Sequence, residues 1–279
     1  FALEHSNRRL MNPFDLPSAV PTPGNLRYRR AIATLDRVIY GLIEARRAQV
    51  AAGGEVGSDL LGMLLAAQDA ETGEGMSDRQ LRDEAMTLFL AGHETTAVAL
   101  TWALCLLAEH PEVRAALEAE VDGVLGGRRP AVDDAPRLER TRRVVDETLR
   151  LYPPAWVIGR RSVAADDLRG VRLGAGQDVT LSPFVTHRHP DFWEDPERFD
   201  PERFLAERSA GRPRFAYFPF GGGPRLCIGN TFALLEMTLV LASIAQKYRL
   251  ELAPGQRVTP QAKVTLRPGG SVWVRAVPR

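Results

Sequence analysis

The stretch from Ser77 to Pro111 limits the possible folds more than any other part of the chain. Ser77 and Gln80 stand at capping-box spacing, and Met76 is placed to staple onto Leu81. The helix they open is predicted to run from Asp78 to about Glu109, where Pro111 opens the next one. At 1.5 Å per residue it is about 48 Å long. Its C-terminal half is apolar nearly all round, so it has to cross a protein interior. The longest apolar run within it, Ala97 to Ala108, is too short for a bilayer, which needs roughly 20 residues. It reads as a central helix.

Other elements arrange themselves around it. Residues 1 to 30 are polar and rich in proline (Pro13, Pro17, Pro21, Pro23) and read as an extended connector. A helical pattern follows from about Tyr28 to Gln49, and Asp59 to Gln68 is a short apolar helix after a glycine-rich break. Pro111 to Leu125 and Pro136 to Tyr152 are further helices, the second stopped by Pro153 and Pro154. From Val157 to Phe184 short β segments are broken by Gly170, Gly174 and Gly176. Residues 185 to 226 carry prolines and aromatics without periodicity, and so long a loop is usually functional. Helix returns from about Asn230 to Tyr248, with strands at Val264–Leu266 and Val272–Val277.

Charge and cysteine content narrow the function classes. A net charge of +1 points to neither nucleic acid nor an acidic membrane as a bulk partner, although local arginine clusters allow a basic docking face. Two cysteines, at 105 and 227, give no disulfide framework and suit a reducing, cytoplasmic setting. Cys105 lies among leucines and reads as structural. No signal peptide is recognisable, and with Phe1 as first residue the true N-terminus is expected to lie upstream, where an anchor stays open.

Two segments carry chemistry. Residues 220–229 read Phe-Gly-Gly-Gly-Pro-Arg-Leu-Cys-Ile-Gly, directly before an apolar helix. Three glycines let the backbone approach a ligand closely. Cys227 then meets the free N–H groups and positive dipole end of the helix, a setting that suits a thiolate. No Lys-Ser or Lys-Thr follows the glycines, so this is not a phosphate loop. A cysteine hydrolase would need a base such as His187 or His189. Residues 91–96, Ala-Gly-His-Glu-Thr-Thr, fall inside the central helix, where glycine costs roughly 1 kcal/mol against alanine. A zinc H-E-x-x-H site would require histidine where Ala97 stands.

The loop matches F-x-x-G-x-R-x-C-x-G at Phe220, Gly223, Arg225, Cys227 and Gly229, and resembles the heme-binding signature of the cytochrome P-450 family. The resemblance implies heme b (iron protoporphyrin IX) with Cys227 as axial thiolate ligand, Phe220 shielding the sulfur and Arg225 pairing with a propionate. The helix string resembles the family's oxygen-binding groove, A/G-G-x-D/E-T. There, hydrogen bonding loosened at Gly92 and Thr95 would open a niche for dioxygen, with Glu94 and Thr95 relaying protons. His93 has no implied role beyond packing or lining.

Glu147 and Arg150, three apart, share one face of their helix, but Arg143 and Asp146 offer equally good partners at i,i+4. The context Glu-Thr-Leu-Arg-Leu-Tyr-Pro-Pro resembles the family's E-x-x-R helix. Its third member would be Arg203 of the second Pro-Glu-Arg-Phe copy, leaving Arg198 of the first in a solvated turn. Arg160 is the implied propionate partner in the first β segment, ahead of Arg161. Ala155, Trp156 and Val157 would line the substrate pocket.

Together these imply a mainly α fold with a small β portion, over residues 1–279 as one heme domain lacking the family's N-terminal helices. The implied activity is a monooxygenase. It inserts one atom of O2 into an apolar organic substrate, with electrons from a separate ferredoxin, flavodoxin or reductase. A heme-thiolate peroxygenase or isomerase would use the same loop without Glu94 and Thr95. A fragment unable to retain heme would be inactive.

Overall fold

A computed structural model of the protein describes residues 16–279 together with Ala2, His5, Ser6 and Arg9. The extended connector expected over residues 1 to 30 lies partly outside the described residues, and where it is described Ala2, His5, Ser6, Arg9 and residues 23–30 are helical instead. The chain divides into two compact units, Phe1–His93 and Glu94–Arg279, with the boundary inside the long helix.

In the first unit, helix α1 (Pro23–Ala51) begins five residues earlier than the periodicity predicts. Thr22 caps it by accepting the Asn25 N–H, and Pro23 sits at the first position, where its missing N–H leaves no bond unmade. Buried Asn25 then donates to the carbonyls of Pro17 and Val20, which ties the preceding turn to the helix. Asp59 caps helix α2 (Leu60–Ala66) through the Gly62 N–H and pairs with Arg46 on both oxygens. Arg46 and the Gly62 N–H together lower the Asp59 carboxyl to about 2. A Cβ on Gly62 would lie 2.1 Å from the Gly57 carbonyl oxygen, so only glycine fits this crossing of backbones.

Helix α3 (Asp78–Glu109) has the predicted bounds. The Ser77 hydroxyl accepts the Gln80 N–H at 3.3 Å and the Gln80 side chain accepts the Ser77 N–H at 2.9 Å, which completes the capping box. By length and mean hydropathy α3 could also cross a membrane, contrary to the expectation drawn from its longest apolar run. In the second unit, however, Ala99, Ala103, Leu106 and Leu107 on its last turns are buried in the protein core.

That core is completed by α4 (Pro111–Leu125), α5 (Glu139–Leu151) and, after two four-residue helices α6 (Pro183–Thr186) and α7 (Ala206–Ser209), by α8 (Asn230–Lys247). Leu117, Val121 and Leu125 recur at i+4 on α4 and face Val144, Leu149 and Leu241 in one cluster. Helix α5 starts at Glu139, not Pro136, which lies in a 3-10 turn over Val132–Arg137. Its free first N–H groups, on Arg140 and Thr141, are received by Glu120 of α4 at 2.6 and 2.8 Å.

The β portion consists of antiparallel pairs. β1 (Ile158–Arg161) pairs with β4 (Asp178–Leu181), and β2 (Asp166–Leu168) with β3 (Val171–Leu173). β5 (Tyr248–Leu252) pairs with β8 (Val274–Pro278), and β6 (Pro260–Ala262) with β7 (Leu266–Pro268). The predicted strand over Val264–Leu266 is instead largely the turn between β6 and β7, and β5 replaces the expected last residue of the preceding helix.

Candidate functional site

Cys227 is exposed, one turn before α8. Two bonds fold the loop that carries it. The Cys227 N–H donates to the Phe220 carbonyl and the Leu226 N–H to the Gly223 carbonyl, both at 3.0 Å. Gly221 and Gly223 make this turn with φ of 75° and 67°, a region that side chains disfavour. Gly229 matters for a different reason: a Cβ there would sit 4.0 Å from the Cys227 sulfur, so its absence leaves the sulfur's flank clear. Phe220 is half-buried and packs against the core, and its main role in this geometry is the carbonyl that holds Cys227.

The surroundings of the sulfur are unusual for a surface. Ile228 is 90% exposed and Phe232 70%, with Leu226 exposed beside them. Exposed apolar side chains that flank the thiol in sequence can form a bed for an apolar group. Arg225 is exposed in the adjoining turn. Arg161 is committed to Asp178 at 2.8 Å, whereas Arg160 donates only to the carbonyl of Gly159. Along β1, Arg160 shares the face of Ile158, whose Cδ1 lies 3.7 Å from a Cβ built on Gly221. Arg160 is thereby directed to the side of β1 that meets the cysteine loop, and Arg161 away from it.

Among the described residues no three His, Cys, Asp or Glu side chains gather into a metal site. A heme brings its own four equatorial donors and asks the protein for one axial ligand, an apolar bed and cations for its acid groups. One accessible thiol, the exposed apolar side chains that follow and precede it, and two guanidiniums with no ion pair among the described residues, Arg225 in the loop and Arg160 on β1, fit that group.

Residues 91–96 remain α-helical throughout, and the loosening expected at Gly92 and Thr95 is not present. The helix surface at Gly92 is open, since nothing lies within 4 Å of a Cβ built there. His93 stacks on Phe89 one turn earlier, with ring centroids 6.0 Å apart. Glu94 is half-buried and accepts a 2.6 Å hydrogen bond from the Thr265 hydroxyl in the β6–β7 turn. The same turn receives the Trp156 indole N–H on the Lys263 carbonyl at 2.9 Å. Ala155 and Val157, on either side of Trp156, are exposed. Sequence reasoning missed Thr265, which lies 171 residues from its partner.

Glu147, Arg150 and Arg203 come together and are almost fully buried. Arg150 grips both Glu147 oxygens at 2.7 and 2.8 Å, and spends its remaining N–H groups on the carbonyls of His187, Pro196 and Arg198. Arg203 Nε approaches Glu147 at 3.4 Å as an ion pair without hydrogen-bond alignment, and its other nitrogens reach the carbonyls of Glu194 and Asp195. Burial pushes the Glu147 carboxyl upward, and Arg150 opposes it. Asp146 bonds Arg142 and Tyr217 instead, and Arg198 is exposed.

His187, considered only as a hydrolase base, is fully buried with both ring nitrogens engaged. Its Nε2 accepts the Phe218 N–H at 2.9 Å, which leaves the proton on Nδ1, 3.3 Å from the Arg150 carbonyl. It cannot serve Cys227 as a base, and links α5 to the strand of chain entering the cysteine loop.

Comparison with known proteins places these features. The family model described as Cytochrome P450 matches residues 1–272. The chain is 45% identical to cyclooctatin synthase of Streptomyces melanosporofaciens, over 96% of this chain and 58% of that protein. It is 41% identical to pentalenene oxygenase of Streptomyces avermitilis, over 95% of this chain and 56% of that one. The crystal structure of the cytochrome P450DA heme domain superposes on all of this chain and 60% of its own, with a TM-score of 0.89 and 34% identity. The chain thus spans little more than half the length of these relatives.

Proposed function

We propose, from the premise that this chain belongs to the cytochrome P450 family, that it carries the heme-thiolate centre of a monooxygenase acting on an apolar organic substrate. The exposed Cys227 thiol in its apolar bed is the observation that carries this reading. Heme, when bound, supplies activation of O2, one atom of which enters the substrate while the other leaves as water. The two compact units belong, on this reading, to one heme domain, as the single family match across both supports.

Each residue then has a task. Cys227 would hold the iron through its thiolate sulfur, and the Phe220 carbonyl holds that residue's backbone in place while its ring would shield the sulfur. Gly223 and Gly229 keep the loop and the sulfur's flank free of side chains. Arg225 and Arg160 would hold the group's carboxylates by charge-assisted hydrogen bonds. Gly92 leaves room against the central helix for a diatomic molecule and water. Glu94 and Thr95 hold that water and pass protons inward. Ala155, Trp156 and Val157 line the substrate side, and Glu147, Arg150 and Arg203 brace the loop leading to Cys227.

Electrons come from a separate ferredoxin, flavodoxin or flavoprotein reductase, and the protein works in the cytoplasm. The relative named as an oxygenase supports the reaction class. Heme titration of the chain, followed by the ferrous–CO spectrum, is the decisive test. A red-shifted Soret band that disappears in Cys227→Ser is expected. An unchanged band in that variant would overturn the ligand assignment.

A further inference from the structure

We infer that Thr265 is a positioning residue for Glu94, through which the β6–β7 turn couples the segment lining the substrate side to proton delivery. The inference deepens the proposed function and rests on Glu94 having the relay role given there.

Four hydrogen bonds converge on this turn. Thr265 donates to Glu94 Oε1 at 2.6 Å, and the Leu266 carbonyl accepts the Trp102 indole N–H at 2.9 Å, so two points on α3 are fixed two turns apart. From the other side, the Leu266 N–H donates to the Pro154 carbonyl at 3.0 Å, and the Lys263 carbonyl accepts the Trp156 indole N–H at 2.9 Å. Trp102 and Thr265 are nearly inaccessible to water, 2% and 5% exposed. Water therefore competes poorly for the Thr265 hydroxyl, and a short bond to a carboxylate in that setting is of the strong, charge-assisted kind.

The choice of residue carries meaning. A glutamate side chain has three rotatable bonds, and a carboxylate that must pass protons has to present one oxygen to water in a reproducible place. With Oε1 held by Thr265, the rotamer is selected and Oε2 remains the oxygen that can exchange protons. Trp156 and Lys263 join that same turn to the segment 154–157, so a substrate pressing on this segment moves the residue that orients the acid.

The test begins with the chain free of cofactor. The infrared difference between wild type and Glu94→Gln isolates the Glu94 carboxylate stretch. That band is expected to shift in Thr265→Val, which keeps the shape and removes the hydroxyl, and to return in Thr265→Ser. A band unmoved by Thr265→Val overturns the proposal. In the heme-loaded protein, Thr265→Val should release roughly severalfold more peroxide per electron consumed, as Glu94→Gln does, with Thr265→Ser close to wild type. Coupling as tight as wild type in Thr265→Val also overturns it. An absent ferrous–CO band would strike the heme assignment alone, because the infrared arm needs no cofactor.

Discussion

Acidification below about pH 6.5 should weaken this protein through His187. The imidazole is fully buried, and the Phe218 N–H points at the nitrogen that an added proton would have to occupy. Burial, and then the nearby charges of Arg150 and Arg188, push its pKa down from 6.5 to about 3, against the opposing pull of the backbone carbonyls. Between those two values the unfolded chain binds a proton at this site and the folded chain does not. Stability from this residue is thus complete above about pH 6.5 and falls as pH drops, by about 1.4 kcal/mol per unit. By pH 5 the loss is about 2 kcal/mol, and it is complete near pH 3. Urea unfolding at pH 7 and pH 5 would measure it in wild type and in His187→Gln, whose amide oxygen can accept the same N–H without taking a proton. The variant should be less stable at pH 7 and lose about 2 kcal/mol less on acidification. Equal losses in the two proteins would refute the argument, since the carboxylates titrating in both cancel in the comparison.

Glu147→Gln should cost about 3–5 kcal/mol in the same unfolding assay, because it leaves two buried guanidiniums facing an uncharged amide. A loss below about 1 kcal/mol would mean the network is replaceable. Gly62→Ala should destabilise the first unit by about 1–3 kcal/mol, since its methyl meets the Gly57 carbonyl oxygen, and unchanged thermal unfolding would contradict that contact. In the heme-free chain a thiol reagent should modify Cys227 rapidly and leave Cys105 alone, because burial raises the Cys105 thiol to about 11. Two equally fast thiols would count against the burial of Cys105.

Local signals carried the sequence reading a long way. Both ends of α3 and the start of α4 were legible because a capping box and Pro111 act on neighbouring backbone groups. The start of α5 was not, because its cap is Glu120, a residue on another helix. Strand β5 alternates Leu250 and Leu252 with charged neighbours, but only pairing with β8, more than twenty residues on, makes it a strand. The cysteine loop was readable as a string, whereas the supports of the site were not. His187 and Thr265 act through bonds to Phe218 and Glu94, and no spacing rule connects residues that only the fold brings together.

The β portion among the described residues consists entirely of two-stranded pairs, and none of its strands has a neighbour on both sides. Apart from Leu266 of β7 no strand residue is buried, so these pairs contribute little to the helical core. A change in the length or side chains of the β6–β7 turn alters what faces segment 154–157 while leaving the packing of α4, α5 and α8 untouched. If segment 154–157 lines the substrate side as proposed, selection can retune the preferred substrate one hairpin at a time, without risking the fold that presents the thiol. In this architecture, robustness and adaptability reside in different kinds of secondary structure.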